Sequence, residues 1–268
     1  MKHFTHIEED PYSLELPPDN HREKIDRHFH DNPPEEIQAD QHIKTYVICF
    51  TNRCGSNYFA SGLSSDPALG LATEPYIPMA VINWANRFGI QGLEAYTARK
   101  MRVLTTPANI FGVKLGANQL LYLAQKGIIR KFWRPPVFIR VRRNNTVAQA
   151  VSYMIAMQTD KWSSRHEGNG KSLKYDPALI LRFLKSTHLS NAIFDYYFDI
   201  HQIKPIDVVY ENIDTDFPRA AGELARLLGL QHSTASLSAT KTQRQATELN
   251  REFEKRFRDH FRSAELVS

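Results

Sequence analysis

The segment Thr51-Asn52-Arg53-Cys54-Gly55-Ser56-Asn57 brings together the parts of an anion-binding loop. It follows the apolar run Tyr46-Val47-Ile48-Cys49-Phe50 and leads into a helix-like stretch from about Ser56 to Leu63. Between a buried parallel strand and a helix, backbone N–H groups converge on an anion. Gly55 lets the backbone approach closely, Ser56 and Asn57 add short polar donors, and Arg53 supplies a fixed positive charge. Three better-known loops are excluded. A Walker A loop needs GxxxxGK[ST], and no Lys follows Gly55. A dinucleotide loop needs two further glycines. A phosphatase-type cysteine loop needs a closing Arg, which Gly55–Leu63 lacks. Cys54 beside Arg53 at a helix start has the setting of a reactive thiol. The plain alternative for the whole segment is a tight strand–helix turn with a solvent-facing Arg.

A second basic junction lies at Ile139-Arg140-Val141-Arg142-Arg143-Asn144-Asn145-Thr146, where a strand pattern runs into a helix pattern. Arg pairs bidentately with phosphate, and Asn145 or Thr146 can cap the helix. Two such junctions in one α/β domain fit a ligand with two separated phosphate-type groups; a solvated basic edge is the duller reading.

The elements that must position these residues are legible as short apolar runs at Tyr46–Phe50, Ile110–Leu115, Pro136–Val141 and Ile206–Tyr210. Helical patterns follow them at Ser56–Leu63, Asn118–Gln125, Thr146–Gln158 and Phe217–Leu228, with longer ones at Pro78–Phe88 and Asp176–Ile200. Alternating strand and helix predicts a three-layer α/β/α fold with a mostly parallel central sheet. Lys161–Tyr175 reads as a mobile loop. In Gln243–Arg262, Phe253, Phe257 and Phe261 share one helical face, a core-packing pattern.

Residues 1–42 form a separate acidic, His- and Pro-rich extension, with 43–268 as the main domain. The extension holds four Lys/Arg against eleven Asp/Glu, a net of −7 in a chain whose total is +5. It reads as irregular or partly disordered. The remaining +12 suits a polyanionic ligand, and nucleic acid would satisfy the same field. Six of the eleven His lie in the extension in no familiar metal-ligand spacing, so no metal is expected. Two cysteines without CxxC spacing, no apolar leader and no run of membrane-spanning length predict a soluble cytoplasmic protein.

Arg53-Cys54-Gly55-Ser56, together with Arg143…Val147-Ala148-Gln149-Ala150-Val151-Ser152…Gln158-Thr159…Trp162, resembles the bacterial trehalose 2-sulfotransferase family, to which the Nod-factor sulfotransferases are related. Gly112-Val113-Lys114-Leu115…Asn118-Gln119 and Arg244-Gln245-Ala246 agree with it, so the resemblance spans about Lys44 to Arg262. It implies a P-loop-like sulfotransferase fold, 3′-phosphoadenosine-5′-phosphosulfate as donor, 3′,5′-adenosine bisphosphate as product, and a homodimer. It also implies site residues. Arg53, Cys54, Gly55, Ser56 and Asn57 would hold the phosphosulfate; Arg143 and Ser152 would hold the 3′-phosphate, with Arg244 closing over the nucleotide. Glu74 matches the family's catalytic carboxylate, and a surface acid before Pro75 is its alternative. Lys114 either meets charge on the leaving oxygen, contacts the acceptor, or pairs with an acid. Tyr76, Trp84 and Trp162 suit stacking on the sugar ring of a small-molecule or glycoconjugate acceptor, and residues 76–107 and 161–200 would shape its site. Cys54 and Asn57 depart from the family's usual Ser/Thr and Thr. Competing functions are a kinase-like phosphotransferase, which lacks its Walker lysine, and a non-catalytic nucleotide- or RNA-binding protein, which has no use for Glu74.

Overall fold

The computed structural model describes residues 20–30, 37–133, 135–162, 172–240 and 248–265. Helix α1 (Asn20–Phe29) precedes strand β1 (Lys44–Phe50), which is followed by α2 (Ser56–Leu63), α3 (Pro78–Phe88) and α4 (Leu93–Leu104). Strand β2 (Ile110–Leu115) leads to α5 (Ala117–Gln125) and α6 (Ile128–Phe132), and β3 (Val137–Arg142) to α7 (Thr146–Thr159) and α8 (Pro177–Ile200). Strand β4 (Ile206–Val209), α9 (Ile213–Leu227) and α10 (Glu248–Glu265) complete the order.

The four strands form one parallel sheet in the order β2-β1-β3-β4. Central β1 is buried on both faces, which explains its unbroken apolar run. Val47 and Cys49 point into a core shared with α3, α4, α5, α6 and α8. Tyr46, Ile48 and Phe50 point into the opposite core, made with α2 and α9. The predicted three-layer α/β/α architecture is therefore what the chain adopts. Gly112 serves this packing directly. A Cβ there would sit 2.3 Å from the Tyr46 ring, which lies across its partner position on β2. A third cluster joins α7, α8 and α10 through Met154, Ile180, Phe253 and Phe257. Each fully buried large apolar side chain in these clusters contributes about 1.5–3 kcal/mol.

Local chemistry fixes the helix starts. Asp176 caps α8 by accepting from the Leu179 N–H at 2.9 Å, with Pro177 as first helical residue. Asn145 caps α7 by accepting from the Ala148 N–H at 3.0 Å.

The structure departs from the sequence reading in four places. Helix α1 lies within the stretch expected to be irregular, and its Ile25 is buried in the first core. Helix α4 went unread because its buried face carries Thr97 beside Tyr96 and Met101, which breaks the apolar period; the Thr97 hydroxyl donates to the Leu93 carbonyl. Helix α6 has five residues, too few for a period to register. Phe261 does not share the burial of Phe253 and Phe257; it is 39% exposed near the end of α10. Most of the loop expected at Lys161–Tyr175 lies outside the described residues.

Candidate active site

In a sheet of order 2-1-3-4 the chain crosses to one side of β1 for β2 and returns to the other for β3. Ligands bind outside the carboxyl ends of the strands where this reversal occurs. The loops after β1 and β3 flank that point, so topology brings the two sequence junctions together.

The loop after β1 is held by α7. Gln149 donates through Nε2 to Thr51 Oγ1 and to the Asn52 carbonyl, both at 2.7 Å. Asn52 Nδ2 donates to the Tyr153 hydroxyl at 2.9 Å. Arg53 adopts the left-handed backbone region with φ 67°, which costs a non-glycine residue about 1–2 kcal/mol. Its guanidinium anchors that geometry, donating through Nε to Ser152 Oγ at 3.0 Å and through Nη1 to the Trp162 carbonyl at 2.5 Å. Gly55 is left-handed as well, with φ 96°, and packs against Tyr210; a Cβ there would lie 2.3 Å from Tyr210 Cδ2. Gly55 is also the N-cap of α2 and, being glycine, brings no capping side chain to it. The positive end of the α2 dipole therefore has no N-cap side chain over it, and of its first-turn N–H groups that of Ser56 bonds the Cys54 sulfur.

The junction after β3 is built differently. Arg140 pairs with Asp195 of α8. Arg142 forms a bidentate pair with Asp207 of β4, its Nε and Nη2 donating at 2.9–3.1 Å. The Glu211 carboxylate accepts from the N–H groups of Asn144 and Asn145 at 3.0 and 3.1 Å. Burial pushes the Glu211 carboxyl up, but these N–H groups and Arg143 outweigh it and hold it below the ordinary glutamate range. Two of the three arginines and both junction amides are thus engaged within the protein, and the second junction is not an amide cradle. It contributes Arg143. That guanidinium lies over the Tyr210 ring at 4.9 Å, and its buried Nε has no hydrogen-bond partner, the nearest acid being Glu211 at 3.8 Å. Burial, and then the charge of Arg143, pull Arg53 below its usual range. Two cations with this mutual cost suit a shared anion.

Lys114 and Glu74 meet at the end of β2. A bridge between Thr73 and Val113, with the Lys114 N–H donating to the Thr73 carbonyl at 2.7 Å, extends the sheet edge and sets Glu74 beside the lysine. Lys114 Nζ lies 2.7 Å from Glu74 Oε1 and donates also to Asn57 Oδ1 on the first turn of α2. The lysine side chain is 3% exposed and the glutamate 29%, so the ammonium is buried and the carboxylate faces solvent. Phe50 flanks the ammonium at 4.6 Å.

Arg53, Gly55, Ser56, Asn57, Lys114, Glu74, Arg143 and Ser152 therefore gather at one end of the sheet. Others do not. The Cys54 side chain is fully buried in the second core and its N–H donates to the Thr51 carbonyl at 3.2 Å, so it turns away from an anion. Burial pushes its thiol up, against hydrogen bonds from Ser56 and Thr51, the opposite of what a reactive cysteine needs. Tyr76 is 1% exposed and packs edge-on against Tyr96 and Trp133 with its hydroxyl on Thr97, which removes it from an acceptor surface. Trp84 packs on Phe88 and Tyr96 under Lys100. Trp162 does line the cleft beside Glu74. Arg244 lies outside the described residues.

The sequence reading missed Gln149 and Tyr210 as site-shaping residues. Gln149 lies three positions before Ser152, on the same face of α7, and that spacing was the available signal. Tyr210 is distant from the loop in sequence, and nothing local marks it.

Glu74, Thr51, Asn52 and Trp162 open onto a cleft of about 1190 Å³. This exceeds the ~300–1,000 Å³ usual for a pocket holding one small ligand. Residues of α1, α5 and α8, with Phe50, Ile77, Gly116 and Tyr153, form its remaining walls. Among the described residues no group of three or more His, Cys, Asp or Glu could hold a metal ion, and no helix is long and apolar enough to cross a membrane. A family model described as Stf0 sulphotransferase matches residues 45–260. No curated protein matches the chain.

Proposed function

Because the chain belongs to the Stf0 sulphotransferase family, we propose that it moves a sulfuryl group from 3′-phosphoadenosine-5′-phosphosulfate to a hydroxyl of a carbohydrate-type acceptor. The residues present fit such a donor. Arg53 and Arg143 both lie close to Tyr210, Arg143 Nε is buried without a hydrogen-bond partner, and α2 begins at a glycine with no N-cap side chain. When bound, the donor supplies a sulfuryl group activated by a leaving bridging oxygen that departs with negative charge.

The observation that carries the reading is the Lys114 ammonium, in hydrogen-bond contact with both Asn57 on the donor-side helix and Glu74 in the cleft. One buried cation thereby couples the anion loop to the single carboxylate that faces the cleft among its described walls. Glu74 takes the proton of the acceptor hydroxyl, a step worth about 10²–10⁴-fold when the base is positioned. Lys114 orients that carboxylate and adds positive charge between acceptor and loop. Arg53, Arg143 and the α2 N-terminus oppose the negative charge that develops on the donor side. Ser152 and Gln149 hold Arg53 and the loop in place. The protein does little covalent work; positioning and charge stabilisation supply the rate.

Thermal-shift measurements with 3′,5′-adenosine bisphosphate and with ATP plus Mg²⁺ test the donor class. The bisphosphate is expected to stabilise the chain, whereas stabilisation by ATP–Mg²⁺ alone sinks the reading in favour of a phosphotransferase. Glu74→Gln is expected to keep the bisphosphate shift and to lose about 10²–10⁴-fold in sulfuryl transfer. An undiminished rate removes Glu74 as the base.

A further inference from the structure

The cleft in front of Glu74 has a one-sided charge. Helix α8 lines it from Ala178 to Ile193, all but Phe183 at the spacing of one helical stripe, and that stripe carries Arg182 and Lys185. Helix α1 presents His21 and Lys24, three residues apart on one face. Glu74 is the one acid among the described residues lining the cleft, and it is already paired with Lys114. No ion pair joins Lys24, Arg182 or Lys185 to an acid among the described residues. Three formal positive charges and a histidine thus face one concavity with low-dielectric walls, an arrangement that concentrates field for an incoming anion.

These cations are surplus to the donor. Arg53 and Arg143 serve the loop side, and neither they nor Gly55 line this cleft. The wall also includes Ile77, Leu189 and Trp162, apolar and aromatic surface suited to the faces of a sugar ring. Helix α1 lies outside the matched residues 45–260, so half of this basic wall is supplied from beyond the family-matched segment.

Resting on the sulfotransferase reading, we propose that the acceptor is itself anionic: a hydroxyl-bearing carbohydrate that carries a phosphate or carboxylate, held by Lys24, Arg182 and Lys185 while its hydroxyl meets Glu74. A negatively charged donor repels such an acceptor, and the basic wall offsets that repulsion at the point of encounter.

The test uses the full chain saturated with 3′,5′-adenosine bisphosphate, so that the donor side is filled. Glucose 6-phosphate, glucuronate and neutral glucose are then titrated, with thermal shift and calorimetry as readouts. A further stabilisation by glucose 6-phosphate or glucuronate, absent with glucose, is expected; which of the two binds distinguishes phosphate from carboxylate. In the triple variant Lys24→Ala/Arg182→Ala/Lys185→Ala, affinity for that sugar is expected to fall at least about tenfold while bisphosphate affinity stays within about twofold. All three side chains are exposed, so the variant retains the fold. Equal binding of glucose, no response to either anionic sugar, or unchanged affinity in the triple variant overturns the proposal. A tenfold loss of bisphosphate affinity in that variant also overturns it, by assigning the wall to the donor. Failure of the bisphosphate to bind the wild-type chain is a different result, and defeats the sulfotransferase reading itself.

Discussion

The two strand-to-helix junctions at the sheet's reversal point look alike in sequence and differ in construction. After β1, the helix begins at a left-handed glycine with no capping side chain, and the donors that brace the loop come from a distant helix. After β3, Asn145 caps the helix, Glu211 accepts from two junction amides, and Arg140 and Arg142 bind acids. One junction starts its helix without an N-cap side chain; the other is a scaffold that delivers one arginine. A basic run in sequence is therefore not an anion site until its internal acids have been counted. Asp195 and Asp207, which decide the matter, sit on elements far along the chain.

The sharpest way to break this contrast is Gly55→Ala. A left-handed alanine costs about 1–2 kcal/mol, and crowding of the Tyr210 ring adds about 1–3 kcal/mol. Melting temperature and the stabilisation by 3′,5′-adenosine bisphosphate should both fall; a variant that keeps both shows that the loop is not the cradle. Next in size is Arg143→Lys. A lysine cannot stack flat on Tyr210 or present a fork, so bisphosphate affinity should drop about tenfold by calorimetry with the melting temperature nearly unchanged. Asn145→Ala makes the opposite prediction for the scaffold. It removes the α7 cap and the contacts of that side chain with Glu254 and Arg258 of α10, so denaturant melts should lose about 1–2 kcal/mol while bisphosphate affinity holds. An affinity loss there would make the two junctions equivalent again.

The smallest effect is acid sensitivity at Glu211. Its carboxyl is held below the ordinary range in the folded chain, so its contribution is present above the unfolded glutamate value of about 4.3. That contribution is lost as pH falls through the folded value. Glu211→Gln should lower the melting temperature at neutral pH and flatten its decline below about pH 4.3. Parallel curves for the two proteins would mean that Glu211 does not clamp the junction.

The sheet and most helices were legible because burial on both faces writes an unbroken apolar run, as in Tyr46–Phe50. Helix α4 was hidden by a buried threonine that satisfies itself on its own helix, and α1 by having Ile25 and Phe29 as its only apolar side chains. At the site, glycine and arginine spacing identified the loop, because a close backbone approach needs that residue type. The burial of Tyr76 and Cys54 was not legible, since an aromatic or a thiol next to a functional segment reads the same whether it faces in or out. The basic wall was masked by averaging: residues 1–42 total −7, yet the face that α1 turns to the cleft carries His21 and Lys24.

Helix α1 is attached through Ile25, Asp26 and Phe29. Ile25 enters the core, and Asp26 meets the Tyr122 hydroxyl at 2.9 Å and the Lys126 ammonium at 2.8 Å. Positions 21 and 24 are exposed, on the side turned to the cleft. Lys24 can therefore be replaced without emptying the core position that Ile25 fills. On the anionic-acceptor proposal, a change of charge at position 24 would alter which acceptor is held while the strand order and the Lys114–Glu74 pair stay as they are.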